Sequence, residues 1–179
     1  MIMSVSSEEL IEQAMTLIAC KGWHVFQLSD LCKDGVTPYE VAQFFSHKED
    51  VLHGFSHMIS DRLRKSMPTF DEATSPQERL LEVLMLRLEA LMPYRVACTC
   101  IMESYEKDPL GGISSSLFFQ GVTDEMCDLA HVPKSYMFSW AFFGLCGWTL
   151  WEWRHDDTPD LSKTMAFINH RLGYLFQYL

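Results

Sequence analysis

The stretch GVTPYEVAQFF, residues 35–45, joins a glycine turn directly to the start of a short helix. Thr37 and Glu40 have the spacing of a capping box, in which the hydroxyl accepts from the third helical N–H and the carboxylate accepts from the N–H of the cap residue. Pro38 suits the first helical position, where its missing N–H leaves no hydrogen bond unmade. The stretch therefore predicts a tight turn and a helix that closes on Phe44 and Phe45.

Similar helix-start signals recur along the rest of the chain. Ser6–Glu9, Ser46–Glu49 and Ser75–Glu78 have capping-box spacing, and Thr158-Pro159 repeats the cap followed by proline. No segment alternates apolar and polar residues with a period of two, so no strand is predicted. The sequence predicts an all-α chain of about nine helices, near residues 7–21, 27–33, 37–45, 47–66, 76–92, 94–107, 113–130, 134–155 and 159–178.

A first predicted helix is followed by a short second helix, a tight turn and a short third helix. Gly22 ends the first of them, and Gly35 lies in the turn between the second and the third. This order is typical of a helix-turn-helix module. We therefore predict a head over residues 1–50 and a larger helical body over residues 51–179.

Residues 11–52 resemble the N-terminal region of the TetR family of bacterial regulators. The resemblance is carried by KGW at 21–23, GVT at 35–37, FF at 44–45 and SHKEDVL at 46–52. It implies a TetR-like fold whose third helix is the recognition helix. It also implies a cytoplasmic transcriptional regulator, a repressor, that binds double-stranded DNA at a palindromic operator as a homodimer.

The chain departs from the family pattern where DNA contacts are expected. Ala42 stands where the family usually has a Tyr that touches phosphate, the turn before Gly35 is one residue shorter, and His47 is an extra residue. Glu40 serves the cap, so base contacts are expected from the other polar side chains near it. Phosphate contacts are expected from two lysines. The predicted DNA-binding residues are Lys33, Thr37, Tyr39, Gln43 and Lys48.

The charge balance limits how such a protein binds DNA. The chain has 14 Lys and Arg against 24 Asp and Glu, a formal net charge of -10. Residues 1–65 contain six basic and nine acidic side chains, so the head is also net negative. A negative net charge excludes a protein that binds phosphates nonspecifically over a broad surface. A sequence-specific DNA-binding protein of this composition must concentrate its basic residues on the DNA-binding surface.

A second interpretation remains open. Gly22-Trp23, LEALMPYR at 88–95 and WRHDDTPDLSKTMAFINHRL at 153–172 are similar to segments of the lipid-binding proteins of ubiquinone biosynthesis. Those proteins resemble TetR regulators in fold but do not depend on DNA. The segment at 153–172 is also similar to the C-terminal segment of some TetR regulators. The alternative is therefore a lipid- or isoprenoid-binding protein linked to ubiquinone biosynthesis.

The last predicted helix carries a heptad pattern of apolar residues. Such spacing is typical of a seam that packs against a partner helix. With the aromatic helix at 134–155 it predicts a four-helix homodimer interface, as the TetR resemblance implies, and packing within one subunit is the alternative. The predicted interface residues are Trp140, Trp151, Leu161, Met165, Ile168, Leu172, Leu175 and Leu179.

The body is rich in residues that suit an apolar pocket. The chain has 12 Phe, 11 Met and 5 Trp, more than a core of this size needs, and Met adapts to irregular apolar ligands. Few ionisable residues interrupt these helices, so a small apolar, largely uncharged effector or lipid is expected, with ordinary core packing as the alternative. The predicted ligand-binding residues are Met85, Leu88, Met92, Met102, Phe118, Phe119, Met126, Phe142, Phe143 and Trp148.

Other classes of protein have little support in the sequence. The six cysteines are scattered without a C-x-x-C pair, and the N-terminus lacks a basic segment before an apolar run, which predicts a reduced cytoplasmic chain. Residues 135–151 are uncharged but are interrupted by Ser, Gly and Thr, which favours a buried helix over a membrane span. His53, His57 and Asp61 share a helix face that is better explained as solvated than as a metal site. We expect no enzyme, metal or cofactor.

Overall fold

The computed structural model of the chain describes residues 5–33, 35–107 and 109–178, without the side chains of residues 109–118. All regular structure in these ranges is helical, so the all-α prediction is confirmed. Two short 3-10 turns, Leu28–Leu31 and Met92–Tyr94, lie between longer helices. The α-helices are α1 (Ser7–Lys21), α2 (Pro38–Phe44), α3 (Lys48–Ser66), α4 (Pro76–Leu91), α5 (Arg95–Lys107), α6 (Pro109–Leu129), α7 (Tyr136–His155) and α8 (Ser162–Tyr178).

Capping boxes form at the starts of three of the eight described α-helices. Ser6–Glu9 and Thr37–Glu40 form complete boxes before α1 and α2, and the Ser75–Glu78 pair has the same hydrogen bonds before α4. The capping box predicted at Ser46–Glu49 is wrong, because the helix begins one residue later than that box requires. Asp50 accepts from the backbone N–H groups of Ser46 and His47 at 2.7 and 2.8 Å, because α3 begins at Lys48 and Asp50 is its third residue.

Other helices differ from the predicted bounds. The second predicted helix is only the 3-10 turn Leu28–Leu31, and α6 begins at Pro109 instead of residue 113. The last helix begins at Ser162, three residues later than predicted, so Thr158-Pro159 does not start it. Asp156 instead accepts from the backbone N–H of Thr164, the third residue of α8.

The chain divides into two compact units. The first extends to Asp61 and includes Leu91–Gly112, and the second comprises Arg62–Ala90 and Ile113–Leu179. The first unit also contains α5, which lies much later in the chain. The boundary predicted from sequence at residue 50 stays a prediction.

In the first unit, α1 packs against α5 and the 3-10 turn Met92–Tyr94. The Tyr94 hydroxyl donates to Glu12 at 3.1 Å, and its ring meets the edge of Phe55, with 5.0 Å between ring centroids. Helix α1 buries one apolar face here, which includes Leu10, Ala14 and Ile18. A spacing of four residues places these side chains on one stripe of the helix.

In the second unit, α7 packs against α8. The ring of Phe138 near the start of α7 lies 5.4 Å from that of Phe176 near the end of α8, so the two helices run antiparallel. Phe142, Trp153, Ile168 and Leu172 are fully buried in this core. None of the described helices combines the length and apolar character needed to cross a membrane. Within the same ranges no group of three His, Cys, Asp or Glu side chains could hold a metal ion.

Candidate nucleic-acid interface

A turn that requires glycine precedes α2. The backbone N–H of Val36 donates to the carbonyl of Lys33 at 3.0 Å, which closes a four-residue turn. Gly35, the third residue of that turn, has a φ of 94°, in the left-handed region that a side chain disfavours. The turn therefore sets the direction in which α2 leaves the preceding 3-10 segment.

The start of α2 is held by Thr37 and Glu40. The Glu40 carboxylate accepts from the backbone N–H of Thr37 at 2.8 Å and from its hydroxyl at 2.7 Å, and the Glu40 N–H donates to that hydroxyl at 3.3 Å. The hydrogen bonds from the Thr37 backbone and side chain lower the pKa of Glu40, because they stabilise its charged form. Both side chains therefore serve the cap, so Thr37 is less free to read a base than the sequence suggested.

Helix α2 has one buried and one exposed face. Val41 and the following Phe45 are buried, which anchors the helix. Tyr39 and Gln43 are exposed, and Tyr39 keeps 74% of its surface accessible. These two side chains lie one helical turn apart on the same face. The structure therefore brings together the two predicted base readers that are not committed to the cap.

The lysines of the first unit differ in how far they are engaged. The ammonium of Lys48 lies 4.7 Å from the ring centroid of buried Trp23, which is a cation–π contact. Lys21 forms an ion pair with Asp30, and the hydrogen bond from Lys21 is the largest cause that lowers the pKa of Asp30. Lys33 is exposed and has no ion pair with any described residue. Of the two lysines predicted to contact phosphate, Lys33 is therefore less engaged within the protein than Lys48.

Sequence reasoning did not find the contact between Lys48 and Trp23. These residues are 25 positions apart, and no local pattern relates them. Trp23 also stacks on Phe26, with 6.0 Å between ring centroids. The stacked pair of Trp23 and Phe26 therefore holds one of the cations expected to meet DNA.

The predicted ligand-binding residues are distributed over both units. Met92 and Met102 belong to the first unit, and the other described members belong to the second. Leu88, Met126 and Phe142 are buried, Met85, Met92, Met102 and Phe143 are half-buried, and Phe119 and Trp148 are exposed. The side chain of Phe118 lies outside the described residues. Trp148 contacts Arg171, whose guanidinium carbon lies 4.3 Å from the ring centroid. The apolar pocket stays a prediction.

The heptad seam of α8 faces its own subunit, which corrects the interpretation of it as a dimer surface. Ile168 and Leu172 are fully buried within the single chain, and Leu161 and Leu175 are nearly so. A side chain already covered by its own subunit has almost no surface left to bury against a partner. Periodicity showed correctly that this face is apolar, but α7 and the rest of the second unit cover it.

Other predicted interface residues are open to solvent. Trp140, Trp151 and Met165 each keep 44–46% of their surface exposed. Leu179 lies outside the described residues. Sequence reasoning missed several further exposed apolar side chains on α7 and α8, because its heptad template selected the buried face. They are Tyr136, Met137, Tyr174 and Tyr178.

Comparison with known proteins gives the fold a name. No family model and no curated protein matches the chain. A solved TetR transcriptional regulator from Nitrosomonas europaea ATCC 19718 matches with a TM-score of 0.78 and 16% sequence identity, over 96% of this chain and 98% of that one. The chain has the TetR fold. A TetR transcriptional regulator from Rhodococcus sp. RHA1 also matches, with a TM-score of 0.62 and 17% identity over 94% of this chain and 93% of that one.

The TetR fold accounts for the order of the elements described above. Both matches span 93% or more of each chain, so the likeness is to the fold as a whole and not to residues 11–52 alone. The fold-level part of the resemblance stated from residues 11–52 is thereby confirmed.

Proposed function

We propose that this protein is a TetR-like transcriptional regulator, a repressor that binds operator DNA as a homodimer. The observation that carries the proposal is the match, over 96% of the chain, to a solved TetR transcriptional regulator. The capped helix α2, with Tyr39 and Gln43 exposed on one face, supports it. An exposed helix behind a tight turn is the element that enters the major groove in helix-turn-helix proteins.

Each head makes few contacts in this proposal. Lys33 and Lys48 meet phosphates and position α2, while Tyr39 and Gln43 contact base edges. Gln is suited to adenine, because its amide pairs with both the acceptor and the donor on the major-groove edge of that base. Two heads related by a two-fold axis then read a palindromic site.

A small apolar effector regulates the binding. Such a ligand releases the operator only if it binds the DNA-free arrangement of the dimer more tightly than the DNA-bound one. The surplus of Met and aromatic side chains supports an apolar effector.

One observation favours the alternative, a lipid- or isoprenoid-binding protein linked to ubiquinone biosynthesis that does not bind DNA. Helix α2 itself, Pro38–Phe44, contains no basic residue, and the chain carries a formal net charge of -10. In that case the helix-turn-helix shape is kept without the chemistry that attracts phosphate.

A DNA titration with two variants separates these functions. Selected genomic duplexes and random duplexes are titrated with the full chain at low and moderate salt. We expect Gln43→Ala to weaken binding to the selected duplex by about 1–3 kcal/mol, because a bidentate base contact is lost, and to leave binding to random duplexes unchanged. Gln177→Ala, which removes an exposed amide from α8, is the matched control.

The outcomes of this titration distinguish the regulator from the lipid-binding alternative. If no duplex binds even at low salt, the regulator proposal fails, and lipid that co-purifies with the chain, detected by mass spectrometry, would support the alternative. If the selected duplex binds equally well to the Gln43→Ala variant, the regulator proposal stands but Gln43 is not a base reader.

A further inference from the structure

A cleft of about 460 Å³ lies within the second unit. Its walls are the last turn of α3 with residues 67–70 on one side and the end of α6 with His131 on the other. None of the residues predicted from sequence to bind a ligand lines it. Sites for small molecules commonly have volumes of roughly 300–1,000 Å³.

The apolar part of the lining consists of Met67, Pro68, Phe70 and Leu129. Met67 and Phe70 are half-buried, so each keeps surface that a ligand can cover. An aromatic ring prefers the edge or the offset face of another ring, and a thioether makes favourable contacts with ring edges. This wall therefore suits an aromatic molecule.

The charged groups of the cleft are already balanced. Arg64 forms an ion pair with Glu125, and Asp128 forms one with Lys134 at 2.7 Å. An anionic ligand would have to compete with Glu125 for Arg64, and a cationic ligand would have to compete with Lys134 for Asp128. The pairing thus favours a neutral ligand.

His131 lines the same cleft in a backbone conformation that histidine rarely adopts. Its φ is 53°, and it follows α6 in the position that usually belongs to glycine. The backbone N–H of Val132 donates to the carbonyl of Cys127 at 2.9 Å, and the backbone N–H of His131 donates to the carbonyl of Asp128 at 3.0 Å. These two hydrogen bonds close the end of the helix. Glycine would adopt this conformation without strain, so a histidine here lowers the stability of the fold. The need to close the helix end does not by itself explain why a side chain is present at this position.

We propose that this cleft binds a small neutral aromatic molecule that carries a hydrogen-bonding group. Met67, Phe70 and Leu129 contact its ring system, and the imidazole of His131 or the hydroxyl of Thr69 bonds to its polar group. The interpretation of the cleft as the effector site of a regulator rests on the proposed function. The binding of a ligand in the cleft does not depend on that function, and its test uses no DNA.

The test compares two fluorescent probes with the same aromatic skeleton. N-phenylnaphthylamine is neutral, and anilinonaphthalene sulfonate adds one negative charge. Each is titrated into the full chain, and fluorescence gives the dissociation constant. We expect the neutral probe to bind at about one molecule per chain and at least tenfold more tightly than the sulfonate, because Arg64, the basic residue that lines the cleft, already pairs with Glu125.

Two cleft variants locate the bound probe. Thr69 is exposed and lines the cleft, so Thr69→Trp fills the space without disturbing the core, and we expect about tenfold weaker binding of the neutral probe. His131→Gly removes the hydrogen-bonding imidazole and relieves the backbone strain. It should weaken binding several-fold while raising the melting temperature by about 3 °C.

Tyr136→Ala, which removes an exposed ring from α7, is the control, and Phe143→Ala tests the pocket predicted from sequence. The proposal is overturned if the neutral probe does not bind, if the sulfonate binds more tightly, or if both cleft variants leave binding of the neutral probe unchanged. Loss of binding in Phe143→Ala alone would assign the probe to the pocket predicted from sequence. Failure of the proposed function would appear only in the DNA titration, so the two failures are distinguishable.

Discussion

Asp156 is a buried carboxylate that joins the end of α7 to the start of α8. One of its oxygens accepts from the backbone and hydroxyl of Thr158 at 2.9 and 2.5 Å, and the other accepts from those of Thr164 at 2.8 and 2.7 Å. Burial alone would raise the pKa of Asp156, but the hydrogen bonds from Thr158 and Thr164 outweigh it and hold the pKa well below its usual value. The charged form is therefore part of the folded structure.

Asp156→Asn should destabilise the protein by about 2–3 kcal/mol at pH 7, because an amide retains one acceptor and turns its NH₂ group toward donors. Urea unfolding followed by circular dichroism measures this change. Asp160→Asn is the matched control, since Asp160 is exposed and accepts from Ser162 at 3.3 Å in the same connection. Equal stability of the two variants would contradict this role for Asp156.

The same group predicts how stability depends on pH. Because the pKa of Asp156 is lower in the folded state than in the unfolded state, its contribution is complete above the unfolded value of about 3.9. The contribution is lost as the pH falls from there toward the folded pKa. The stability difference between the wild type and Asp156→Asn should therefore shrink below about pH 4.

Helix α2 shows how a short element depends on its cap. It has only seven residues, and isolated helices of that length are unstable in water. Its order depends on the Thr37–Glu40 box at one end and on the burial of Val41 and Phe45 at the other. The exposed positions of Tyr39 and Gln43 follow from that arrangement.

Thr37→Ala should therefore destabilise the protein by about 1 kcal/mol, because the N–H of Glu40 loses its acceptor and the carboxylate loses the hydroxyl donor. Hydrogen exchange of the α2 amides should show faster opening in the same variant. Thr37→Ser keeps the hydroxyl and serves as the control. If serine and alanine at this position give the same stability and exchange rates, the cap does not support α2.

The proposed homodimer concerns the exposed faces of α7 and α8. Trp140 and Trp151 lie on α7 with much of their surface accessible. A Cβ added to Gly144 or Gly147, between these two residues in the sequence, would meet open space. Large exposed aromatic side chains beside uncovered backbone are typical of a surface that a second helix can approach closely. We therefore place the dimer contact on this face, in place of the buried seam of α8.

Trp151→Glu should raise the dissociation constant of the dimer about thirtyfold or more, because it removes an anchoring ring and places a charge in the contact. Sedimentation analysis over a range of protein concentrations measures the change. Val96→Glu, which alters an exposed apolar residue on α5, is the control and should leave the dimer intact. A wild type that is monomeric throughout the range, or a Trp151→Glu variant that dimerises normally, would refute this placement.

The parts of the structure that were predicted well depend on neighbours along the chain. The hydrogen bonds of the Ser6–Glu9 and Thr37–Glu40 boxes join residues three apart, so residue type and spacing are enough to predict them. The Asp156 cap was missed because its acceptor and the N–H of Thr164 are eight residues apart with a loop between them. His131 gave no local signal either, since its conformation normally belongs to glycine.

The amino-acid sequence by itself determined an all-α chain, the bounds of most helices and the capped helix α2, because these depend on hydrogen bonds between near neighbours. It also showed which faces of the helices are apolar. Only the tertiary structure decided that Ile168 and Leu172 face inward while Trp151 faces solvent, that Trp23 engages Lys48, and that a cleft opens beside His131. Whether a side chain is buried depends on which distant segments pack over it. The spacing of residues within one helix contains no information about those segments.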